Sequence, residues 1–170
     1  MSNINICAQN AYLALYPQSK KPVGVNWPDE GKSREQALTT NGNLGLLLGP
    51  KSDVMDVDLD CRDAKGLAEL ILPKPFAQFD RGTSDGGHYL FRATSLGPTQ
   101  GLSGSGPKSN LVEPRGDGSQ TMIPPSIHRD GNRLDFTDFD PSVVSFLDPR
   151  TINPVEKIWP ATAAGQILVY

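Results

Sequence analysis

The stretch SDVMDVDLDCRD, residues 52–63, sets Asp53, Asp56, Asp58, Asp60 and Asp63 around Val54, Met55, Val57 and Leu59. In an extended strand side chains alternate between faces, so Asp56, Asp58 and Asp60 share one face while Val57 and Leu59 share the other. Such a strand has an apolar back and an acidic front. Like charges on one side repel and raise each other's pKa unless something positive stands between them. A divalent cation is the simplest remedy. An all-oxygen donor set suits Mg2+ or Mn2+, whereas zinc draws His and Cys into its ligand set. Taken alone, an Asp-x-Asp also reads as a solvated strand face with a cap or turn at Asp60, so its neighbours in the chain decide its meaning.

The chain has two histidines, His88 and His128. His88 lies in RGTSDGGHYLF, where Gly86 and Gly87 allow another group to approach the backbone closely and His88 is placed to donate to a phosphate oxygen. Its bland reading is a satisfied strand histidine ahead of the core residues Leu90 and Phe91. In NLVEPRGDGSQTMIPPSIH, Glu113 ends a short apolar strand and supplies a third carboxylate. Arg115 is near it for a phosphate, and Ser126 and His128 follow the Pro124-Pro125 pair. On its own, a Glu before a Pro is a surface residue.

These groups need a scaffold to hold them. Ile4, Cys7, Ala8, Ala11, Tyr12 and Leu15 recur at helical spacing, with Asn3 as cap and Pro17 as stop, which predicts an amphipathic helix from Ile4 to Tyr16. Ser33 with Gln36 predicts a capping box on a short helix to Thr40. NLGLLLG, residues 43–49, and DVMDVDL, residues 53–59, read as two strands of a hairpin turned at Gly49-Pro50-Lys51-Ser52. A helix is expected from Asp60 to Leu72, ended by Pro73 and Pro75. FAQFDRG and GGHYLFRA read as the next two strands. Residues 97–110 are rich in Gly, Ser and Pro and read as a loop within the domain. Three short strand-like pieces follow, NLVEPRGDG, SQTMIPPSIHRDG and RLDFTDF, and a last helix is expected from Pro141 to Leu147. Short turns outnumber helical crossovers, so the expected fold is α+β with a mixed, largely antiparallel sheet and flanking helices.

At 170 residues, 37% hydrophobic and 21% charged, the chain suits one domain, taken as residues 1–170. No apolar run approaches the roughly 20 residues needed to cross a bilayer, so no membrane association is expected. The start has no basic leader, apolar core and cleavage site, which leads us to expect a cytoplasmic protein. Cys7 and Cys61 match no paired zinc spacing and are read as free. A net charge of -3 argues against coating nucleic acid by bulk electrostatics, while leaving room for a local basic groove. GLSGSGPKS, residues 101–109, nearly spells a phosphate-binding P-loop, but Pro107 interrupts the Gly-Lys step and no strand-to-helix context surrounds it.

Taken together, VMDVDLD, SDGGHYLF and LVEPRGDG resemble, in order, the Asp-x-Asp strand, the Gly-x-His strand and the lone-acid strand of the primase-polymerase domain of the archaeo-eukaryotic primase superfamily, of the bifunctional primase/polymerase N-terminal type. KKPVGVNW, NGNLGLLLG and MIPPSIHRDGNRL resemble its flanking segments, so the likeness runs over residues 4–137, with 138–170 as a C-terminal extension. It implies an RRM-like catalytic core and primer extension on a DNA template with nucleoside triphosphates. Two divalent ions, Mg2+ or Mn2+, would be held by Asp56, Asp58 and Glu113. It matches His88 to the histidine on the incoming nucleotide's phosphates, keeps Asp60 as an accessory ligand, and puts Arg115, Ser126 and His128 in the nucleotide-binding neighbourhood. Lys20, Lys21 and Arg81 are candidates for phosphate or template contact, or plain surface charges. Unlike longer relatives, the chain has no Cys and His set for a zinc element and too little length for a helicase. A catalytic fragment, or dependence on a replicative helicase or accessory primase domain, is therefore expected, and extension more than de novo priming. Two other readings stand beside this one: a metal-dependent nuclease or phosphohydrolase, and a non-catalytic nucleotide or nucleic-acid binding module.

Overall fold

The computed structural model describes residues 4–7, 10–93, 102–103 and 110–145. The elements in chain order are β1 (Tyr12–Leu15), α1 (Arg34–Leu38), β2 (Asn43–Leu47), β3 (Val54–Leu59), α2 (Arg62–Ile71), β4 (Ala77–Asp80), β5 (Gly87–Arg92), β6 (Leu102–Ser103), β7 (Asn110–Arg115), β8 (Gln120–Ile123) and β9 (Asp135–Phe139). They make an α+β fold with two sheets, one of three strands in the order β1-β2-β8 and one of six in the order β6-β7-β3-β5-β4-β9. Each strand pair in both sheets is antiparallel.

The acidic strand sits inside the larger sheet, flanked by β5 and β7. Its alternation does what the sequence predicts. Met55, Val57 and Leu59 point to one face and pack with Tyr89, Phe91 and Val112 under Ala64 and Ala68 of α2. Those two helical residues are one turn apart and small, so α2 lies close on the sheet. Val54 faces the other way into a second core with Leu90, Phe79 and Ala77, shared with Leu44, Leu46, Met122 and Ile123 of the smaller sheet. Asp56 and Asp58 therefore project from the face turned toward the second sheet.

Three sequence expectations need correction. The described residues between Ile4 and Tyr16 are not helical: Tyr12–Leu15 is a strand whose four residues are all buried. A contiguous YLAL run buried on both faces is a core strand, and the helical spacing around it is coincidental. The Tyr12 hydroxyl instead gathers the preceding segment, accepting from the Ile6 and Cys7 N–H groups at 2.9 and 3.2 Å and donating to Asn5. Secondly, β2 and β3 are not a hairpin. One bridge, Gly49 to Val54, joins them before they part into different sheets. Each is flanked on both sides by other strands, β2 by β1 and β8, β3 by β5 and β7, so neither has an edge left for the other. Thirdly, residues 141–145 form a turn and irregular chain where a helix to Leu147 was expected; 146 and 147 lie outside the described residues.

The other elements follow their local signals. Ser33 Oγ accepts the Gln36 N–H while Gln36 Oε1 accepts the Ser33 N–H, which completes the predicted capping box on α1. The expected helix from Asp60 starts at Arg62, and the two strands after it are β4 and β5. Most of the Gly-Ser-Pro run at 97–110, with the near P-loop in it, lies outside the described residues.

Candidate active site

Register brings the separate motifs together. Across β3 and β5, Asp58 stands opposite His88 and Asp56 opposite Leu90; across β3 and β7, Asp58 stands opposite Glu113 and Asp56 opposite Arg115. Directly opposed residues share a face, so Asp56, Asp58, His88, Glu113 and Arg115 crowd one patch of the sheet. Pro114 separates Glu113 from Arg115, facing the α2 side opposite Val57. Its missing N–H is tolerated because β6 pairs with β7 at Asn110 and Val112, short of Pro114.

Within the patch two cations and three carboxylates interlock. His88 Nδ1 donates to Asp56 Oδ2 at 2.9 Å, its Nε2 stands 3.7 Å from Asp58 Oδ1, and its ring stacks on Phe79 with centroids 4.7 Å apart. Phe79 fixes the ring plane and Asp56 fixes its rotation. The Arg115 guanidinium reaches all three acids: Nη2 donates to Asp58 Oδ2 and Glu113 Oε2 at 2.5 and 2.6 Å, Nε donates to Glu113 at 2.9 Å, and Nη1 lies 3.9 Å from Asp56. Asp56 is 0% exposed. Its Oδ1 and the buried hydroxyl of Thr121 on β8 make no hydrogen bond of good geometry among the described residues, although Thr121 is near enough to help lower the Asp56 pKa.

Protonation follows from this packing. Burial pushes the Asp56 carboxyl up, but the His88 charge and hydrogen bond and the Arg115 charge outweigh it and hold Asp56 below the usual carboxylate range. Asp58 has the same two cations nearby, yet burial prevails, helped by the adjacent Asp56 charge, and holds it above that range. Burial works against the His88 imidazolium, while the Asp56 and Asp58 charges more than restore it and leave its pKa raised. The site thus pairs an ionised Asp56 with a charged His88 and makes Asp58 the harder acid to ionise.

The patch opens on a cleft of about 150 Å³ whose lining includes Asp58, His88, Lys20, Asp80, Arg81 and His128. His128 Nδ1 lies 3.0 Å from Asp130 Oδ2, which also accepts from Arg81 Nη1 at 2.8 Å, so the two basic side chains are clasped as a unit. Arg81 Nη2 reaches Ser84 as well. Asp60 is exposed at the cleft mouth, one residue beyond the end of β3.

Other residues take structural posts. Ser126 is buried, accepting the Leu44 N–H at 2.9 Å and donating to the Ile123 carbonyl at 2.6 Å, and so ties β2 to the end of β8 rather than lining the cleft. Gly86 does permit a close approach, but the group that approaches is the Leu59 carbonyl: a Cβ there would lie 2.1 Å from it. Lys21 sits over the Tyr16 ring, 5.8 Å from its centroid. Sequence reasoning missed Phe79 as the platform for His88 and Asn43 as the buried amide that bonds the Ile127 N–H and carbonyl. Neither carries a local signal, since both matter through partners brought in by topology.

Three carboxylates, one with a buried unpaired oxygen, form an oxygen donor set of the kind Mg2+ and Mn2+ take. As they stand, no three His, Cys, Asp or Glu side chains among the described residues are arranged to hold an ion, and a guanidinium lies among the acids.

Residues 7–154 match the family described as bifunctional DNA primase/polymerase, N-terminal (Prim-Pol). The chain belongs to the Prim-Pol family. Its members are in general divalent-metal-dependent nucleotidyltransferases of DNA replication, and the three motifs that meet at Asp58 all fall within the matched span. No curated protein matches the sequence significantly. No helix among the described residues is long and apolar enough to cross a membrane.

Proposed function

We propose that this Prim-Pol chain is a DNA-directed nucleotidyltransferase that adds nucleotides to a primer 3'-hydroxyl on a DNA template in the replication of a virus, plasmid or mobile element. The observation that carries the reading is the convergence of Asp56, Asp58 and Glu113 on one patch, with His88 on its rim beside a cleft that Lys20 and Arg81 also line. Asp56, Asp58 and Glu113 are the residues that would hold two divalent ions, which would supply charge stabilisation to the phosphoryl transfer.

The chain's own side chains bind and orient. The nucleoside triphosphate lies in the cleft, where Lys20 and Arg81 offset its charge and His128 lines the wall. His88, locked by Phe79 and Asp56 and kept cationic by the carboxylates, directs Nε2 at a phosphate oxygen. The primer hydroxyl attacks the α-phosphorus and pyrophosphate leaves, a displacement for which placement and fixed charge supply most of the catalysis. The partners are a primed DNA template, nucleoside triphosphates and a replicative helicase or accessory primase domain.

Primer extension with Mg2+ or Mn2+ tests this. Wild type lengthens a labelled primer and Asp58→Asn does not; equal extension by both removes the site. Shortening of the strand without triphosphates replaces the polymerase reading with a nuclease.

A further inference from the structure

We infer that Arg115 is a built-in stand-in for the divalent ions: it neutralises the three carboxylates while no metal is bound, and ions enter by displacing it. The inference rests on the metal-site reading above. One guanidinium touches every member of the acid set, through Asp58 Oδ2, Glu113 Oε2 and, at 3.9 Å, Asp56 Oδ2. An ion shared by the set would draw on the same three carboxylates. Two cations competing for the same lone pairs exclude one another, so the arrangement is an exchange site rather than an open cage.

The side chain is suited to leave. Arg115 is two residues from Glu113 on the same face of β7, and its long stem lets the charged head move without any change in strand register. It is 18% exposed, whereas Asp56 beneath it is fully buried, so the cation can withdraw while the deepest anion cannot. Once withdrawn, Arg115 is a free cation next to the cleft. A triphosphate bound there offers it a new partner, so nucleotide and metal assist each other's binding. The residue that steadies the empty site becomes a contact of the filled one.

Two measurements on the full chain decide this. After EDTA treatment, titration calorimetry with Mn2+ is expected to show Arg115→Met binding about tenfold tighter than wild type, a factor within the usual range for coupled sites. In wild type, the 15N-labelled Nε–H signal of Arg115, assigned through its own backbone, is expected to shift as Mg2+ is added, since its bond to Glu113 is lost. Mn2+ affinity in Arg115→Met equal to or weaker than wild type, or an Arg115 signal unmoved at saturating Mg2+, overturns the exchange. A different result, wild-type Mn2+ binding that is absent or untouched by Asp58→Asn, removes the metal site itself.

Discussion

His88 stands directly opposite Asp58 across the β3–β5 pair, yet its Nδ1 reaches along the strand to Asp56, 2.9 Å away, and leaves Asp58 at 3.7 Å. The diagonal bond puts the histidine's charge against the deepest carboxylate and frees Nε2 for the cleft. Asp56 therefore holds the site together, whereas Asp58 is the aspartate of the two that lines the cleft. Removing one partner of such a buried pair strands the other charge. Asp56→Ala is expected to destabilise the metal-free protein by roughly 3 to 5 kcal/mol, as broken buried ion pairs do. Urea denaturation in EDTA measures it, and a loss under about 1 kcal/mol would contradict the pairing.

The same bond sets a pH dependence. His88 is raised above its ordinary 6.5, so its contribution is complete below that value and is lost as pH climbs through the folded-state pKa. Asp58, also raised, acts in the same direction from its ordinary 3.8 upward. Asp56, lowered, contributes above 3.8 and loses that contribution as pH falls through its depressed pKa. In EDTA, stability is expected to decline as pH rises above 6.5, and His88→Gln should flatten that decline. An unchanged slope in His88→Gln would assign the effect to another group.

Gly86 and Gly66 offer a paired test of packing. A Cβ on Gly86 would sit 2.1 Å from the Leu59 carbonyl at the end of the acidic strand, so Gly86→Ala forces backbone apart beside Asp58 and is expected to cost about 2 kcal/mol or more. Gly66, inside α2, has nothing within 4 Å of its Cβ position. Gly66→Ala should raise stability by about 0.5 to 1 kcal/mol through helix propensity. Thermal melts of the two variants should move in opposite directions.

Lys20 lines the same cleft as Asp58, on the chain between β1 and α1. Lys20→Ala is expected to raise the triphosphate KM by about tenfold while changing kcat less, since a charge held against the phosphates binds ground and transition states alike. A drop confined to kcat would place Lys20 at the reacting centre instead.

Much of this was legible in the chain. The alternation of VMDVDL specifies which face is acid and which is oil, because strand geometry leaves no other choice, and the Ser33–Gln36 capping box needs only local bonds. The three motifs could be ordered by resemblance, and register then set them side by side. Less could be read where the answer depends on partners distant in sequence. YLAL reads as helix until β2 covers one side of it, and the Gly49–Ser52 turn reads as a hairpin until each strand is seen to have two other neighbours. That Arg115 stands among the aspartates could not be read locally either, because it is 57 residues from Asp58 in sequence.

Odd and even positions along β7 answer to different neighbours. Val112 and Pro114 belong to the helix side, Glu113 and Arg115 to the carboxylates. Adding or deleting one residue inside Asn110–Arg115 would exchange these loyalties wholesale, sinking a glutamate and an arginine beneath α2 and lifting a valine into the acids. Parity, more than overall length, is what this segment has to preserve.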